Sequence, residues 1–136
     1  LFYIYTSGTT GLPKAVVFNH GRWQKAFGGF GFSSVRLAAS DRLYCTLPFY
    51  HATGLVVCWA SAIAGRAGLV LPRKFSASRF WDDIREHHCT AFGYVGELCR
   101  YLHEQPEKPR DGSNPVHTIV GNGLRPSIWK LALIHI

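Results

Sequence analysis

The sequence predicts an α/β fold, a mostly parallel sheet layered with helices. Three observations point to it. Short apolar strand-like runs alternate with helical segments along the chain of 136 residues, the pattern of strand–helix–strand crossovers. The composition, 47% apolar and 17% charged, is that of a globular chain and not a disordered one. Aromatics reach 14%, bulk that needs a core or a partner to bury it.

In chain order, residues 1–6 read as a buried, aromatic-rich strand. Residues 7–13, with Gly8, Gly11 and Pro13, read as a turn, and 14–18 as a second strand. Asn19 suits an N-cap for a helix running to about Leu37, weakened in its middle by Gly28, Gly29 and Gly31. Arg42–Leu47 is a strand that Pro48 ends. Thr53–Ala64 is an apolar helix, and Leu69–Leu71 a short strand closed by Pro72. Ser76 or Ser78 is positioned to cap the clearest amphipathic helix. Asp82 and Asp83 sit near its start, where the helix dipole favours anions, and Phe80, Trp81, Ile84 and His88 share one broad face. A strand at 90–94 leads into a helix, Val95–Glu104, with Leu98, Tyr101 and Leu102 inward. A Pro-rich loop, a strand at 116–120 and a helix opening at Pro126 follow.

Lys and Arg number 15 against 8 Asp and Glu, hence +7. The excess favours anionic partners, but the basic residues are scattered; the densest set is Arg66, Arg73, Lys74 and Arg79, which reads as solvated surface. No basic stripe or nucleic-acid-binding module is present, so no nucleic-acid partner is expected. Cys45, Cys58, Cys89 and Cys99 form no C-x-x-C pair, which argues against zinc-ribbon and thioredoxin-like classes; they read as reduced, partly buried thiols. His87-His88-Cys89 looks metal-like, but adjacent helical residues diverge, and no metal ligands are assigned. The longest nearly apolar run, Ala52–Gly65, is shorter than the roughly 20 residues of a transmembrane helix. The chain has no Met and opens directly on a strand, which suggests an internal window of a longer protein.

Tyr5-Thr6-Ser7-Gly8-Thr9-Thr10-Gly11-Leu12-Pro13-Lys14 is the most informative stretch. Its glycines let backbone N–H groups turn toward an anion, its hydroxyls can donate to phosphate oxygens, and its lysine adds a mobile positive charge. Together they describe a polyphosphate cradle after a strand. It is not a Walker A loop: Pro13 precedes Lys14, Ala15 follows it, and an apolar strand comes next in place of a helix. A polar hairpin loop without a ligand is the bland alternative.

This string, continued by Ala15-Val16, resembles the phosphate-binding signature of the adenylate-forming (AMP-binding) superfamily. Leu47-Pro48-Phe49-Tyr50-His51 followed by Gly54 is similar to its second core motif. Lys74–Asp83, Gly96–Leu102 and Gly121-Asn122-Gly123-Leu124-Arg125-Pro126 with Ile128-Trp129 look like one branch, the fatty acid transport proteins or very long-chain acyl-CoA synthetases. The resemblance implies part of the large N-terminal domain of an adenylate-forming enzyme: a partial AMP-binding domain over 1–129, then an atypical tail, Lys130–Ile136. It implies ATP, Mg2+ and coenzyme A as cofactors, with a fatty acid as substrate. Thr6, Ser7, Gly8, Thr9, Thr10, Gly11 and Lys14 would hold ATP phosphates. Lys14 and His51 would be catalytic, and Gly121, Asn122 and Gly123 would lie against the adenylate. His51 alone would read as a turn or core histidine, Gly121 and Gly123 as turn residues, and Glu97 with Arg100 as a structural ion pair.

The implied function is ATP-dependent activation of long or very long-chain fatty acids to acyl-CoA through an acyl-adenylate, coupled to uptake, in an intracellular, membrane-associated protein. The family's Thr-Glu motif, its ribose-binding aspartate and its C-terminal lysine domain lie outside this stretch, so the chain alone is expected to be inactive. The alternative is a membrane-associated lipid-transport module without complete catalysis, for which +7 suits an anionic surface.

Overall fold

The computed structural model describes residues 2–6, 11–126 and 128. Its centre is a four-stranded parallel sheet: β3 (Arg42–Cys45), β4 (Gly68–Val70), β5 (Ala91–Val95) and β6 (Thr118–Asn122), in the order β4-β3-β5-β6. The register pairs Arg42 with Gly68, Leu43 with Ala91 and Ala91 with Thr118. Successive side chains on a strand point to opposite faces, and both faces are covered. Leu43 and Cys45 pack with Leu37, Leu47, Cys58 and Ala62 on one side. Tyr44, Phe92 and Tyr94 pack with Phe80, Ile84 and Leu98 on the other. Helices on both faces are what a parallel sheet requires, and the predicted α/β layering stands.

The first layer is built from α1 (His20–Ala26), a wide π-helical segment Phe27–Val35, a second π segment Thr53–Cys58 and α2 (Trp59–Gly65). Asn19 caps α1 as expected, its side chain accepting from the Arg22 N–H at 2.9 Å. The glycines at 28, 29 and 31 do not break the helix. They coincide with its widening to i→i+5 bonding, and Gly31 is buried against α2, where a Cβ would meet that of Ala64. The run Ala52–Gly65 is buried on one side only, with Trp59 and Ile63 exposed.

The opposite layer holds α3 (Phe80–Glu86) and α4 (Gly96–His103). Tyr44 Oη, from β3, donates to Asp83 of α3 at 2.7 Å; burial first, then this carboxylate, pushes the phenol's pKa up. Three expectations are corrected here. Arg79, not Ser76 or Ser78, stands at the α3 N-cap, without a side-chain cap bond. His88 is exposed at φ 51°, because the chain leaves the helix through a left-handed residue to enter β5. Tyr101 faces outward, its ring under the Arg100 guanidinium at 4.5 Å, while Leu98 and Cys99 are buried.

The first two strands, β1 (Phe2–Thr6) and β2 (Lys14–Phe18), form a separate antiparallel hairpin. Ile4 is buried, but Tyr3 and Tyr5 are 58% and 69% exposed, so β1 is not the buried strand its composition suggests. Phe2 and Phe18 stack across the pair. The predicted loop at 105–115 is irregular, and of the last helix only Pro126 and Ile128 are described.

Candidate functional site

In an open parallel sheet, ligands bind outside the carboxyl ends of the strands, where the strand order reverses. From β3 the chain passes through α2 to β4 on one side, then crosses through α3 to β5 on the other. The gap between the ends of β3 and β5 is therefore the switch point. The residues after β3 carry His51, and the end of β6, next to β5, carries Gly121, Asn122 and Gly123. Two motifs 70 residues apart thus reach one edge of the sheet.

Hydrogen bonds join them. The Thr53 N–H donates to His51 Nδ1 at 3.1 Å, and the Asn122 side-chain amide donates to Thr53 Oγ1 at 3.3 Å. With Nδ1 accepting, the neutral imidazole is assigned the tautomer that carries its proton on Nε2. His51 itself is exposed and anchored through its backbone: its N–H donates to Pro48 O and its carbonyl accepts from Leu55 N. Thr53 is 2% exposed and was not singled out from the sequence. Its signal was a hydroxyl inside an otherwise apolar run.

Gly54 explains the spacing of the second motif. A Cβ there would lie 2.7 Å from Pro48 O and 2.8 Å from Leu47 O, so only glycine lets the turn fold back on the end of β3. Gly121 lies in β6, packed against Tyr94 of β5, and Gly123 turns the chain away at φ 73°. Phe49 of the same turn continues into an aromatic series: its ring centroid lies 6.1 Å from Trp59, which lies 5.3 Å from Trp23 of α1.

The phosphate-type loop is closed by the hairpin, where Thr6 and Lys14 are cross-strand partners. Gly11 sits at φ 144°, a backbone conformation that favours glycine. Ser7, Gly8, Thr9 and Thr10 lie outside the described residues. The described features here are the paired strand ends, with Gly11 before β2 and Lys14 at its first position. Among the described residues no three His, Cys, Asp or Glu side chains converge as metal ligands, so no Mg2+ ligand is assigned. Glu97 and Arg100 form the expected ion pair at 2.5 Å, extended to Glu104. The four cysteines are free and buried.

A parallel α/β domain with its candidate site on the carboxyl edge, preceded in the chain by an antiparallel hairpin, is of the class found in the N-terminal domains of adenylate-forming enzymes. The chain belongs to the AMP-binding enzyme family, whose model matches residues 1–135. It is 54% identical over 128 residues to the medium/long-chain-fatty-acid–CoA ligase FadD6 of Mycobacterium tuberculosis, covering 94% of this chain and 21% of that protein. It is 49% identical over 130 residues to long-chain fatty acid transport protein 1 of Bos taurus, covering 96% and 20%. Among solved structures, a Mycobacterium tuberculosis fatty acyl CoA synthetase matches all of this chain and 27% of its own, with TM-score 0.81 and 27% identity. The o-succinylbenzoate CoA synthetase MenE of Bacillus subtilis, in complex with ATP and magnesium ion, matches 89% and 24%, with TM-score 0.71 and 26% identity. The chain spans about a fifth of the length of the curated relatives it matches.

Proposed function

We propose that this chain is the phosphate-loop and carboxyl-edge portion of an enzyme that activates long or very long-chain fatty acids to acyl-CoA through an acyl-adenylate, in a membrane-associated protein that couples activation to uptake. The observation that carries the reading is the hydrogen-bonded series Asn122–Thr53–His51, which brings two family motifs together at the carboxyl edge. The fatty-acid ligase and transport relatives support the substrate class.

In this reading Thr6–Gly11 and Lys14 hold the β- and γ-phosphates of ATP, and their donors stabilise charge as pyrophosphate leaves. His51 presents Nε2–H beside the reacting carboxylate, its ring fixed by Thr53. Gly121–Gly123 offer close backbone approach to the adenylate. Mg2+, when bound, would neutralise phosphate charge, and none of the described residues is assigned as its ligand. Coenzyme A supplies the thiol that displaces AMP. The domain boundary at 129 and the atypical tail belong to the same proposal. Among the described residues no helix is long and apolar enough to cross a membrane.

The test is ATP–pyrophosphate exchange by the complete protein with palmitate, lignocerate or no carboxylate. Exchange that requires the fatty acid supports the reading. Carboxylate-independent exchange, or lipid uptake without any exchange, favours the transport module without complete catalysis.

A further inference from the structure

Asn122 stands between two glycines and supplies the polar side chain at the end of β6. The backbone on either side of it is pinned. A Cβ on Gly121 would collide with the Tyr94 carbonyl, and one on Gly96 with the Gly123 carbonyl. Gly123 turns the chain at φ 73°. The end of β6 is thus seated against β5 and the start of α4, and Asn122 has a fixed base. The turn after β3 is the reverse: Pro48, Phe49, Tyr50, His51 and Ala52 are all exposed. Backbone bonds hold His51 at its base. Among the described residues, the one hydrogen bond to its ring comes from the Thr53 N–H.

Thr53 is where the fixed and the exposed parts meet. The Asn122 amide donates to Thr53 Oγ1 at 3.3 Å. Either orientation of the amide bonds a hydroxyl, since a hydroxyl both donates and accepts. Thr53 is 2% exposed, so its hydroxyl works inside the protein, on Asn122, and not on a ligand. It also opens the π-helical segment Thr53–Cys58. Holding its side chain holds its backbone N–H, and with it the ring of His51. A reacting-site group kept within about 0.5 Å of a productive position needs such support from behind.

We propose that Asn122 is a positioning residue: through Thr53 its side chain fixes where the His51 ring sits, while the glycine backbone around it faces the adenylate. This deepens the proposed function and rests on it for the role of His51.

The test uses the complete protein and compares Asn122→Ala, Thr53→Val, the double variant and Thr53→Ser. Nitrogen NMR of histidine-labelled protein, with the His51 signals identified by His51→Gln, reads the ring. ATP–pyrophosphate exchange reads kcat and KM. Asn122→Ala is expected to shift or broaden the His51 signals with the tautomer kept. It should lower kcat roughly tenfold, as a small misplacement does, with KM for ATP nearly unchanged. Thr53→Val should behave alike, and the double variant no worse than either single one, because both break the same bond. Thr53→Ser keeps the hydroxyl and the N–H and should restore both readings. If the alanine variant does not fold, Asn122→Ser, with its shorter side chain, is read in its place.

Unmoved His51 signals in the Asn122 variant overturn the inference. So does a raised KM for ATP at full kcat, which assigns the side chain to the nucleotide, and so do additive losses in the double variant. The NMR reading needs no turnover. His51 signals that follow Asn122 in a protein without fatty-acid-dependent exchange overturn the proposed function alone, and unmoved signals in an active enzyme overturn this inference alone.

Discussion

The side-chain amide of Asn122 donates to Thr53 Oγ1 at 3.3 Å, linking the end of β6 to the segment after β3. Thr53 in turn holds the His51 ring through its own N–H. One buried threonine thus sets the relative position of two turns that lie far apart in the chain and meet at one edge of the sheet.

Replacing Thr53 by Val keeps the shape and the backbone donor but removes the acceptor for Asn122. Unfolding free energy is expected to fall by about 1 kcal/mol, with the His51 tautomer retained. Urea titration and nitrogen NMR of the imidazole check both. A His51 Nδ1 that carries a proton in the native state would contradict the assignment.

Gly54→Ala places a methyl group against two carbonyls that do not move easily, at 2.7 and 2.8 Å. A loss of about 1–3 kcal/mol is expected from overpacking, with a displaced His51 turn. Unchanged thermal stability would show that the turn is free to shift.

Acid should loosen the amino edge of the sheet. Burial opposes charge on Asp41, but the Ala38 N–H, Thr90 Oγ1 and nearby His117 outweigh it and hold the carboxyl below its ordinary 3.8. A lowered folded-state pKa means that the stabilisation is present above that value and is lost as pH falls through the folded one. As pH falls from about 5 through the ordinary carboxylate range and below it, Asp41→Asn should flatten the decline in urea midpoint. Parallel curves for the two proteins would remove Asp41 from the account.

The cysteines should be silent in the native state. Burial raises Cys89 and Cys99 to about 11, and Cys58 is raised by its hydrogen bond with Cys45 and by burial. Cys45 is lowered by that bond yet is only 2% exposed. A disulfide-exchange dye at pH 8 should therefore react slowly with the folded protein and rapidly after urea. Rapid native reaction of even one thiol would show that the core opens.

The parallel sheet was legible because the strand runs are short, apolar and separated by helical periods. The turn between the first two strands was legible because Gly8, Gly11 and Pro13 punctuate two strand-like runs, which pair as a hairpin. Other features depended on tertiary context. The exposure of Tyr3 and Tyr5 follows from a hairpin that stands apart from the main sheet, which strand propensity does not encode. The widening at Phe27–Val35 is a choice between i→i+4 and i→i+5 bonds that the same residues permit. Tyr101 reads as core by composition, but the Arg100 guanidinium over its ring lets it face solvent. Thr53 was missed because a single hydroxyl in an apolar stretch acquires meaning only from what the fold places beside it.

The central claim is that the hairpin loop and Lys14 serve the adenylation half-reaction. Carboxylate-dependent ATP–pyrophosphate exchange by the complete protein tests it most directly, comparing wild type with Lys14→Ala and Thr9→Ala. The account predicts that both variants lose most of their exchange while remaining folded. Full exchange in both would contradict it.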